Sequence, residues 1–172
     1  DVYKRQIEIL CKGVANVQQG RIDETTTANI GLISGGAGVN IVPERAAITG
    51  EVRSFNEEKV EEIAFKIYDT IGVEAFNLGA TIDYDSEWDF KPYELDETDL
   101  TYLEISEAIK KAGLVPVPKI SLGGSDANSY NESGIKSVNI GIGAQKPHSN
   151  EEFILIEDLE KSFEIALNLV KK

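Results

Sequence analysis

The sequence predicts a mixed α/β protein that is organised in two blocks. In the first block, two stretches with helical spacing of apolar residues flank a pair of β-rich segments. In the second block, helical and extended stretches alternate, which is typical of an α/β domain. With 172 residues, of which 41% are hydrophobic, the chain is long enough to bury a core.

The first block opens with a predicted helix over residues 7–17. Gly20 follows as a stop signal, and the apolar positions have helical spacing: Ile7, Leu10, Cys11, Val14 and Val17. Residues 26–35 and 46–55 are rich in β-formers, and the turn-rich run 35–44 separates them. These segments therefore predict two paired strands with a loop at their junction.

A second helix follows, with Asn56 as its cap and Gly72 as its end. Its buried stripe is predicted from apolar residues at helical spacing: Val60, Ile63, Ala64, Ile67 and Ile71. Residues 79–88 then predict another strand. The order helix, strand, strand, helix, strand is a ferredoxin-like βαββαβ layer without its first strand. We therefore expect that a segment upstream of residue 1 is missing.

The second block begins after residue 91. Asp96 is predicted to cap a helix that ends before Gly113, with these residues on one side: Leu100, Leu103, Ala108, Ile109 and Ala112. Residues 115–122 and 134–143 predict strands. The last helix is predicted to carry one apolar face: Ile156, Leu159, Phe163, Ala166 and Val170. About 80 residues are too few for a doubly wound sheet, so we expect part of a larger domain.

Composition restricts the function classes. Lys and Arg number 17 against 30 Asp and Glu, and the net charge of −13 opposes binding to nucleic acid and to anionic membranes. No apolar run approaches the roughly 18 residues of a membrane span, and no signal-peptide pattern opens the chain, so a cytoplasmic protein is expected. The single cysteine, Cys11, excludes an internal disulfide and is expected to be buried.

The segment GGSDAN, residues 123–128, is a candidate binding loop. Gly123 and Gly124 follow an extended run, and Ser125 or Asp126 can cap the next helix, so that backbone N–H groups point at an anion. The same residues also form an ordinary capped turn, which is the commoner outcome for this motif alone.

The segment PHSNEEF contains His148, the only histidine in the chain. It follows a predicted strand, and open α/β sheets bind ligands at the C-terminal ends of their strands. Imidazole is a common zinc ligand, but a tetrahedral site needs three or four groups. Glu152 is expected either to orient the imidazole or to open the last helix through the helix dipole. A surface histidine without a ligand is the plainer alternative.

Asn40 and Arg53 are candidates in the first block. Asn40 lies at the junction of the two predicted strands, and Arg53 lies on the second strand. If both face one concave surface, an amide and a guanidinium can hold an oxyanion or a carboxylate. A turn asparagine and an edge arginine in a surface ion pair are the alternative.

Three segments in this order resemble one family: NIGLISGGAGVNIVPERAAITGEVRS, GGSDANSYNESG and NIGIGAQKPHSNEEF. They are similar to the C-terminal half of the peptidase T-like co-catalytic zinc exopeptidases, relatives of carboxypeptidase G, succinyl-diaminopimelate desuccinylase and aminoacylase. The resemblance starts near Ile7 and covers nearly all the chain from there. It implies a dimerising lid domain over residues 1–91 and the closing part of an α/β catalytic domain over residues 92–172.

The resemblance also implies a role for each candidate. His148 matches the last metal ligand, and Asn40 and Arg53 match lid residues that bind substrate and polarise the scissile carbonyl. GGSDAN matches the loop that holds the substrate's backbone or carboxylate. The implied cofactor is a pair of zinc ions, whose other ligands and general base are expected upstream of residue 1. This chain alone is therefore expected to be inactive.

The implied substrate is a small peptide, and the implied partner is a second copy bound through the lid. Two alternatives stay open: an N-acyl amino acid amidohydrolase of the same family, and a non-catalytic module that binds a small carboxylate. No arginine immediately precedes GGSDAN, where some tripeptidases have one, so tripeptide specificity does not follow. Residues 1–6, DVYKRQ, fit neither the family helix nor their surroundings and are expected to be non-native.

Overall fold

The computed structural model describes residues 5–171. They form two compact units, divided between Pro92 and Tyr93. Unit 1 contains five elements: α1 (Gln6–Asn16), β1 (Gly20–Arg21), β2 (Thr26–Gly35), β3 (Ala46–Ser54) and α2 (Glu57–Asn77). Unit 2 contains three helices: α3 (Leu100–Lys111), α4 (Asp126–Glu132) and α5 (Ile156–Val170).

The two ends of the chain are described in part. Of the opening predicted to be non-native, residues 1–4 lie outside the described residues, Arg5 precedes α1, and Gln6 is the first residue of that helix. At the other end Lys171 follows α5, and Lys172 lies outside the described residues. No helix between residues 5 and 171 is both long enough and apolar enough to cross a membrane.

β2 and β3 form the antiparallel hairpin that the sequence predicts. Their register runs from the Thr26↔Ser54 pair at one end to the Gly35↔Ala46 pair at the loop. The short β1 pairs with β2 on its other side, so the strand order is β1-β2-β3. Adjacent antiparallel strands joined by a loop need no crossover, and this explains why the sequence pattern was sufficient here.

A β-bulge interrupts the hairpin at its middle. The register shifts between Ile30 and Leu32, so Gly31 is the extra residue on β2. On the facing strand, a Cβ at Gly50 would lie 2.5 Å from the carbonyl oxygen of Asn29. The two backbones therefore approach more closely than any side chain at position 50 allows.

α1 and α2 pack against each other and both contact β3. A Cβ at Gly13 would lie 3.0 Å from the Cα of Ile71, so glycine lets the two helices come close. The buried apolar residues of unit 1 come from both helices and from β2: Ile9, Leu10, Ala28, Ile63, Ile71 and Ala75. Cys11 is exposed, so its predicted burial is wrong: each residue turns a helix by about 100°, and Cys11 faces away from α2.

α2 begins as predicted but ends later. The side chain of Asn56 accepts a hydrogen bond from the backbone N–H of Lys59 at 3.1 Å, which confirms the predicted cap. Gly72 does not end the helix, because burial of Ile71 and Ala75 continues the packed face beyond it. The helix ends at Asn77, and Gly79, at φ 68, follows it in a Schellman motif.

Residues 79–88 form no strand ladder in the described part of the chain, so the predicted strand is wrong in that respect. A segment becomes a strand only when a neighbour takes its hydrogen bonds. In a split βαβ arrangement, the position between this segment and β3 belongs to another strand. The described residues place no strand there.

α3 is capped by a different aspartate from the one predicted. Asp99 accepts from the backbone N–H of Thr101 at 2.9 Å, whereas Asp96 accepts from both the N–H and the hydroxyl of Thr98 in the preceding turn. Asp and Thr alternate here, and the pattern does not say which aspartate meets the first free N–H. The predicted end is confirmed, since Gly113 follows the helix at φ 80.

Two predicted strands of unit 2 are also unpaired. Residues 115–122 and 134–143 form no ladder among the described residues, and unit 2 has only an isolated bridge between Gln145 and Phe153. The two segments lie on either side of α4 and do not pair with each other in the described unit. The α/β alternation therefore appears as helices joined by unpaired segments.

The core of unit 2 is small and lies between α3 and α5. It consists of Ala108, Ala112 and Ile165, with Ile109 and Ile140 packed at its edge. The apolar face predicted for α5 is wrong for this unit, because Ile165 points into the core and these residues are exposed: Ile156, Leu159, Phe163, Ala166 and Val170. α5 is apolar on more than one side, so periodicity alone did not select the side that α3 covers.

Candidate functional site

His148 lies in a closed turn that we call the His148 turn, residues 145–153. Gln145 and Phe153 close it with two backbone hydrogen bonds: the N–H of Gln145 donates to the carbonyl of Phe153 at 2.8 Å, and the reverse bond is 3.2 Å long. α5 begins at Ile156, three residues later. The turn therefore lies between an unpaired extended segment and the last helix, and it exposes His148.

The backbone of this turn is strained. Lys146 at φ 50 and His148 at φ 64 are the non-glycine residues with positive φ in the described chain. This region crowds the Cβ of an L-residue against the backbone, so its occupation requires support from surrounding contacts. Such conformations cluster at functional sites.

Several hydrogen bonds support the strained residues. The backbone N–H of His148 donates to a carboxylate oxygen of Glu152 at 3.1 Å. The hydroxyl of Ser149 donates to the carbonyl of Lys146 at 2.8 Å and accepts from the N–H of Glu151 at 3.2 Å. The ammonium of Lys146 pairs with the carboxylate of Glu151. The sequence indicated Glu152 but missed Ser149, although a serine beside turn residues is a known signal for such bonds.

Glu152 contacts His148 in a way that the sequence did not predict. Its carboxylate meets the backbone N–H and not the ring. It also lies outside α5, whose first-turn acids are Glu157 and Asp158, so the predicted role in opening that helix is wrong. Whether Glu152 influences a ligand held by the imidazole stays a prediction.

The GGSDAN loop forms a capped turn before α4. The backbone N–H and the hydroxyl of Ser125 both donate to the side-chain oxygen of the buried Asn128, at 3.0 and 3.3 Å. The N–H of Gly123 donates to the hydroxyl of Ser121 at 3.1 Å. Asp126 is exposed at the first position of α4. Asn128 acts here as the reciprocal partner of a capping box. The role of Gly123, Gly124, Ser125 and Asp126 in binding substrate stays a prediction.

Asn40 and Arg53 lie in different parts of the hairpin. Asn40 is exposed in the loop after β2, whereas Arg53 pairs with Thr27 near the opposite end of β3. Arg53 is roughly 23 Å along the strand from Ala46, at about 3.3 Å per residue. Its guanidinium donates to Glu51 on the same strand at 2.8 Å. Unit 1 by itself does not bring the two residues to one small ligand.

The metal-binding capacity of the described residues is limited. They contain no group of three or more His, Cys, Asp and Glu side chains placed to hold one ion. The exposed imidazole of His148 fits a role as a single ligand, and the nearby carboxylates of Glu151 and Glu152 are engaged with Lys146 and with the backbone of the turn. A closed zinc site requires three or four groups, and the described residues do not form one.

Residues 8–172 match the model of peptidase family M20/M25/M40. The chain belongs to this family. It spans 45% of the length of one curated relative to which it is 32% identical over 166 residues. The three short segments that carried the resemblance lie within the matched region, and the recognition of a peptidase T-like relative is confirmed.

Solved structures of this family share the fold. An aminopeptidase PepT from Bacillus cereus is 33% identical, with a TM-score of 0.78 over 95% of this chain and 44% of its own. A tripeptidase from Staphylococcus aureus is 30% identical, with a TM-score of 0.83 over 96% and 44%. A dinuclear metal-binding peptidase from Bacillus subtilis, at 21% identity and a TM-score of 0.69 over 95% and 45%, shares the fold. These likenesses confirm the predicted fold class.

Proposed function

We propose that this chain forms the lid and the closing part of the catalytic domain of a metal-dependent peptidase that hydrolyses small peptides. The observation that carries the proposal is His148, the only imidazole, exposed at φ 64 in a braced turn of a chain of the M20/M25/M40 family. A histidine whose backbone is held in a sparsely populated conformation by its surroundings points to function more strongly than a histidine on an ordinary surface.

His148 contributes one metal ligand in this proposal. A neutral imidazole nitrogen is a common ligand for zinc, and a solvent-facing turn leaves the ring accessible to an ion. Bound zinc lowers the pKa of a water and polarises a carbonyl. The chain's own part is to present the ring, while the further ligands come from residues outside the described set.

The other candidates take substrate roles in this proposal. Arg53 offers a planar fork of donors that suits a substrate carboxylate or an oxyanion. Asn40 offers an exposed amide in the loop after β2. Gly123, Gly124, Ser125 and Asp126 are exposed or half-buried, so this loop is open to a substrate. The names of two solved neighbours, an aminopeptidase and a tripeptidase, favour a peptide over an acylated amino acid.

The lid role includes assembly with a second copy. α2 exposes large apolar side chains on its outer surface, among them Phe65, Val73 and Phe76, with Phe76 83% exposed. Exposed apolar groups of this size support contact with another surface. We propose a homodimer through unit 1 in the protein that carries the whole catalytic domain.

A chimera tests the proposed function. The part of the Bacillus cereus aminopeptidase that precedes the matched region is joined to this chain, and hydrolysis of tripeptides, dipeptides and N-acetyl amino acids is measured beside zinc content. We expect peptide hydrolysis and two zinc ions per chain. His148→Ala should remove one zinc and lower kcat by a factor of about 100 or more.

Asn150→Ala provides the matched control, because Asn150 is exposed in the same turn. It should keep both zinc ions and near-normal turnover. Two zinc ions and near-normal turnover in His148→Ala would contradict the ligand role. Faster hydrolysis of N-acetyl amino acids than of peptides would favour the amidohydrolase alternative.

A further inference from the structure

The His148 turn contains an arrangement that its ligand role alone does not explain. A carboxylate near a ligand histidine usually accepts a hydrogen bond from the ring. Glu152 instead accepts from the backbone N–H of His148, at 3.1 Å. The carboxylate of Glu152 therefore contacts the main chain of His148, whose φ of 64 needs support from surrounding contacts.

The bond is well suited to that task. It is charge-assisted, because a carboxylate accepts from an N–H, and such bonds are stronger than neutral ones. It also closes a short ring within the turn, because the N–H of Glu152 donates to the carbonyl of Ser149 at 3.1 Å. Glu152 is thus tied by its backbone to Ser149 and by its side chain to His148.

The backbone conformation of His148 determines the direction of its imidazole ring. The direction of the Cα–Cβ bond relative to the chain follows from φ and ψ, and a change from positive to negative φ swings the side chain to another side of the turn. The two ends of the turn are held by the Gln145 and Phe153 backbone bonds. Because the ends of the turn are fixed, the sign of φ at His148 determines the direction in which the imidazole extends from the main chain.

We propose that Glu152 is a positioning residue that holds the main chain of His148 in the left-handed region and thereby sets the direction of the imidazole. This inference rests on the proposed function, because the direction of the imidazole matters for a histidine that binds a metal ion. It requires no contact between the carboxylate and the ring. The negative charge of Glu152 is not essential to it, because a neutral amide oxygen can accept the same hydrogen bond.

Amide hydrogen exchange of the metal-free chain tests this inference without substrate or metal. In Glu152→Ala the N–H of His148 loses its acceptor, and we expect its exchange to accelerate by about tenfold or more. In Glu152→Gln the side-chain oxygen still accepts, and exchange should stay within about threefold of the parent chain. Glu151→Ala is the matched control, because Glu151 pairs with Lys146 and not with His148.

A second measurement covers the case in which Glu152→Ala opens the whole turn. Glycine adopts positive φ freely, so in the H148G background the turn should no longer need Glu152. Protection of the Phe153 amide should then survive the added Glu152→Ala change. Unchanged His148 exchange in Glu152→Ala, equal acceleration in Glu152→Gln and Glu152→Ala, or loss of Phe153 protection in the double variant would overturn the inference. Retained zinc in His148→Ala would instead count against the proposed function.

Discussion

Two extended segments of unit 1, β2 and β3, pair into a sheet, whereas the extended segments of unit 2 form no ladder within the described chain. In unit 1, β2 and β3 pair along their whole length because the strands are neighbours in sequence. In unit 2, residues 115–122 and 134–143 form no ladder within the described chain, although the sequence predicts strands there too. A hairpin finds its partner across one loop, whereas parallel strands depend on partners that lie far away in the chain. Local pairing therefore forms a small sheet in unit 1, whereas the described part of unit 2 depends on its helices.

The cores of the two units differ in the same sense. Unit 1 buries large side chains from both helices, including Ile9, Leu10, Ile63 and Ile71. The core cluster of unit 2 combines two alanines with Ile165. A small core loses a larger share of its stabilisation when one large side chain is removed. The first prediction tests this difference directly.

Ile165→Ala should have the largest effect on stability. Removal of a buried isoleucine costs about 2 to 5 kcal/mol, and the core of unit 2 has little else to offset the loss. We expect amide protection in α3 and α5 to collapse while the β2–β3 ladder stays protected. Ile71→Ala should cost a similar free energy in unit 1, where the remaining core residues preserve the ladder.

Phe163→Ala is the matched control on the same helix. Phe163 is 67% exposed, so its truncation should change the free energy of unfolding by no more than about 0.5 kcal/mol. A loss as large as that of Ile165→Ala would show that another surface covers the predicted apolar face in solution. The comparison between the two units would then have to include that surface.

Gly50→Ala should have an intermediate effect, confined to unit 1. Its Cβ would meet the Asn29 carbonyl oxygen at 2.5 Å, so the ladder must shift, at a cost of about 1 to 3 kcal/mol. Gly141→Ala is the control in unit 2, where an added Cβ meets nothing within 4 Å. Urea unfolding followed by the fluorescence of Trp88 measures the first change. Equal urea midpoints for Gly50→Ala and the parent chain would contradict the close approach of the two backbones at Gly50.

The smallest expected effect is a pH dependence at the start of α3. The backbone N–H of Thr101 holds the pKa of Asp99 below its usual range, and Lys136, at 3.4 Å, lowers it further. Because the folded pKa lies below the unfolded one, the carboxylate stabilises the fold above an unfolded pKa of about 3.9. That contribution disappears as the pH falls through the folded pKa.

Asp99→Asn keeps an oxygen that can cap α3 but removes the charge. Its urea midpoint should therefore vary less than that of the parent chain as the pH is lowered from about 6 to about 2. Glu97→Gln serves as the control for the loss of one negative charge close by. Parallel profiles for Asp99→Asn and the parent chain would exclude Asp99 as a source of the acid sensitivity of unit 2.

Local signals in the sequence were read correctly where the partner is close along the chain. The hairpin, the cap at Asn56 and the stop at Gly113 each depend on residues within one loop or one helical turn. Gly72 does not end α2, because a glycine within a helix is tolerated when neighbouring residues are buried. Asp96 does not cap α3, because two aspartates compete for one cap and only the path of the chain selects Asp99.

The candidate site divides in the same way. His148, Glu152 and the GGSDAN loop are predicted as site residues from the sequence, and their roles stay predictions. The contact of Glu152 with the backbone of His148 was not, since a carboxylate four residues away is equally able to meet the ring. The separation of Asn40 and Arg53 along the hairpin follows from the register, which the alternation of residues leaves undefined by itself.

The order of three segments in the sequence was enough to indicate the family, which the match over residues 8–172 shows. Most of the helices and the hairpin could also be predicted, because periodicity and capping act over a few residues. Tertiary structure alone decided which face of α5 is covered, that Cys11 is exposed, and which extended segments become strands. It also decided that His148 takes positive φ and that its backbone N–H donates to the carboxylate of Glu152. These outcomes depend on which surfaces meet, and an amphipathic or extended segment can meet its neighbours in several ways with the same local pattern.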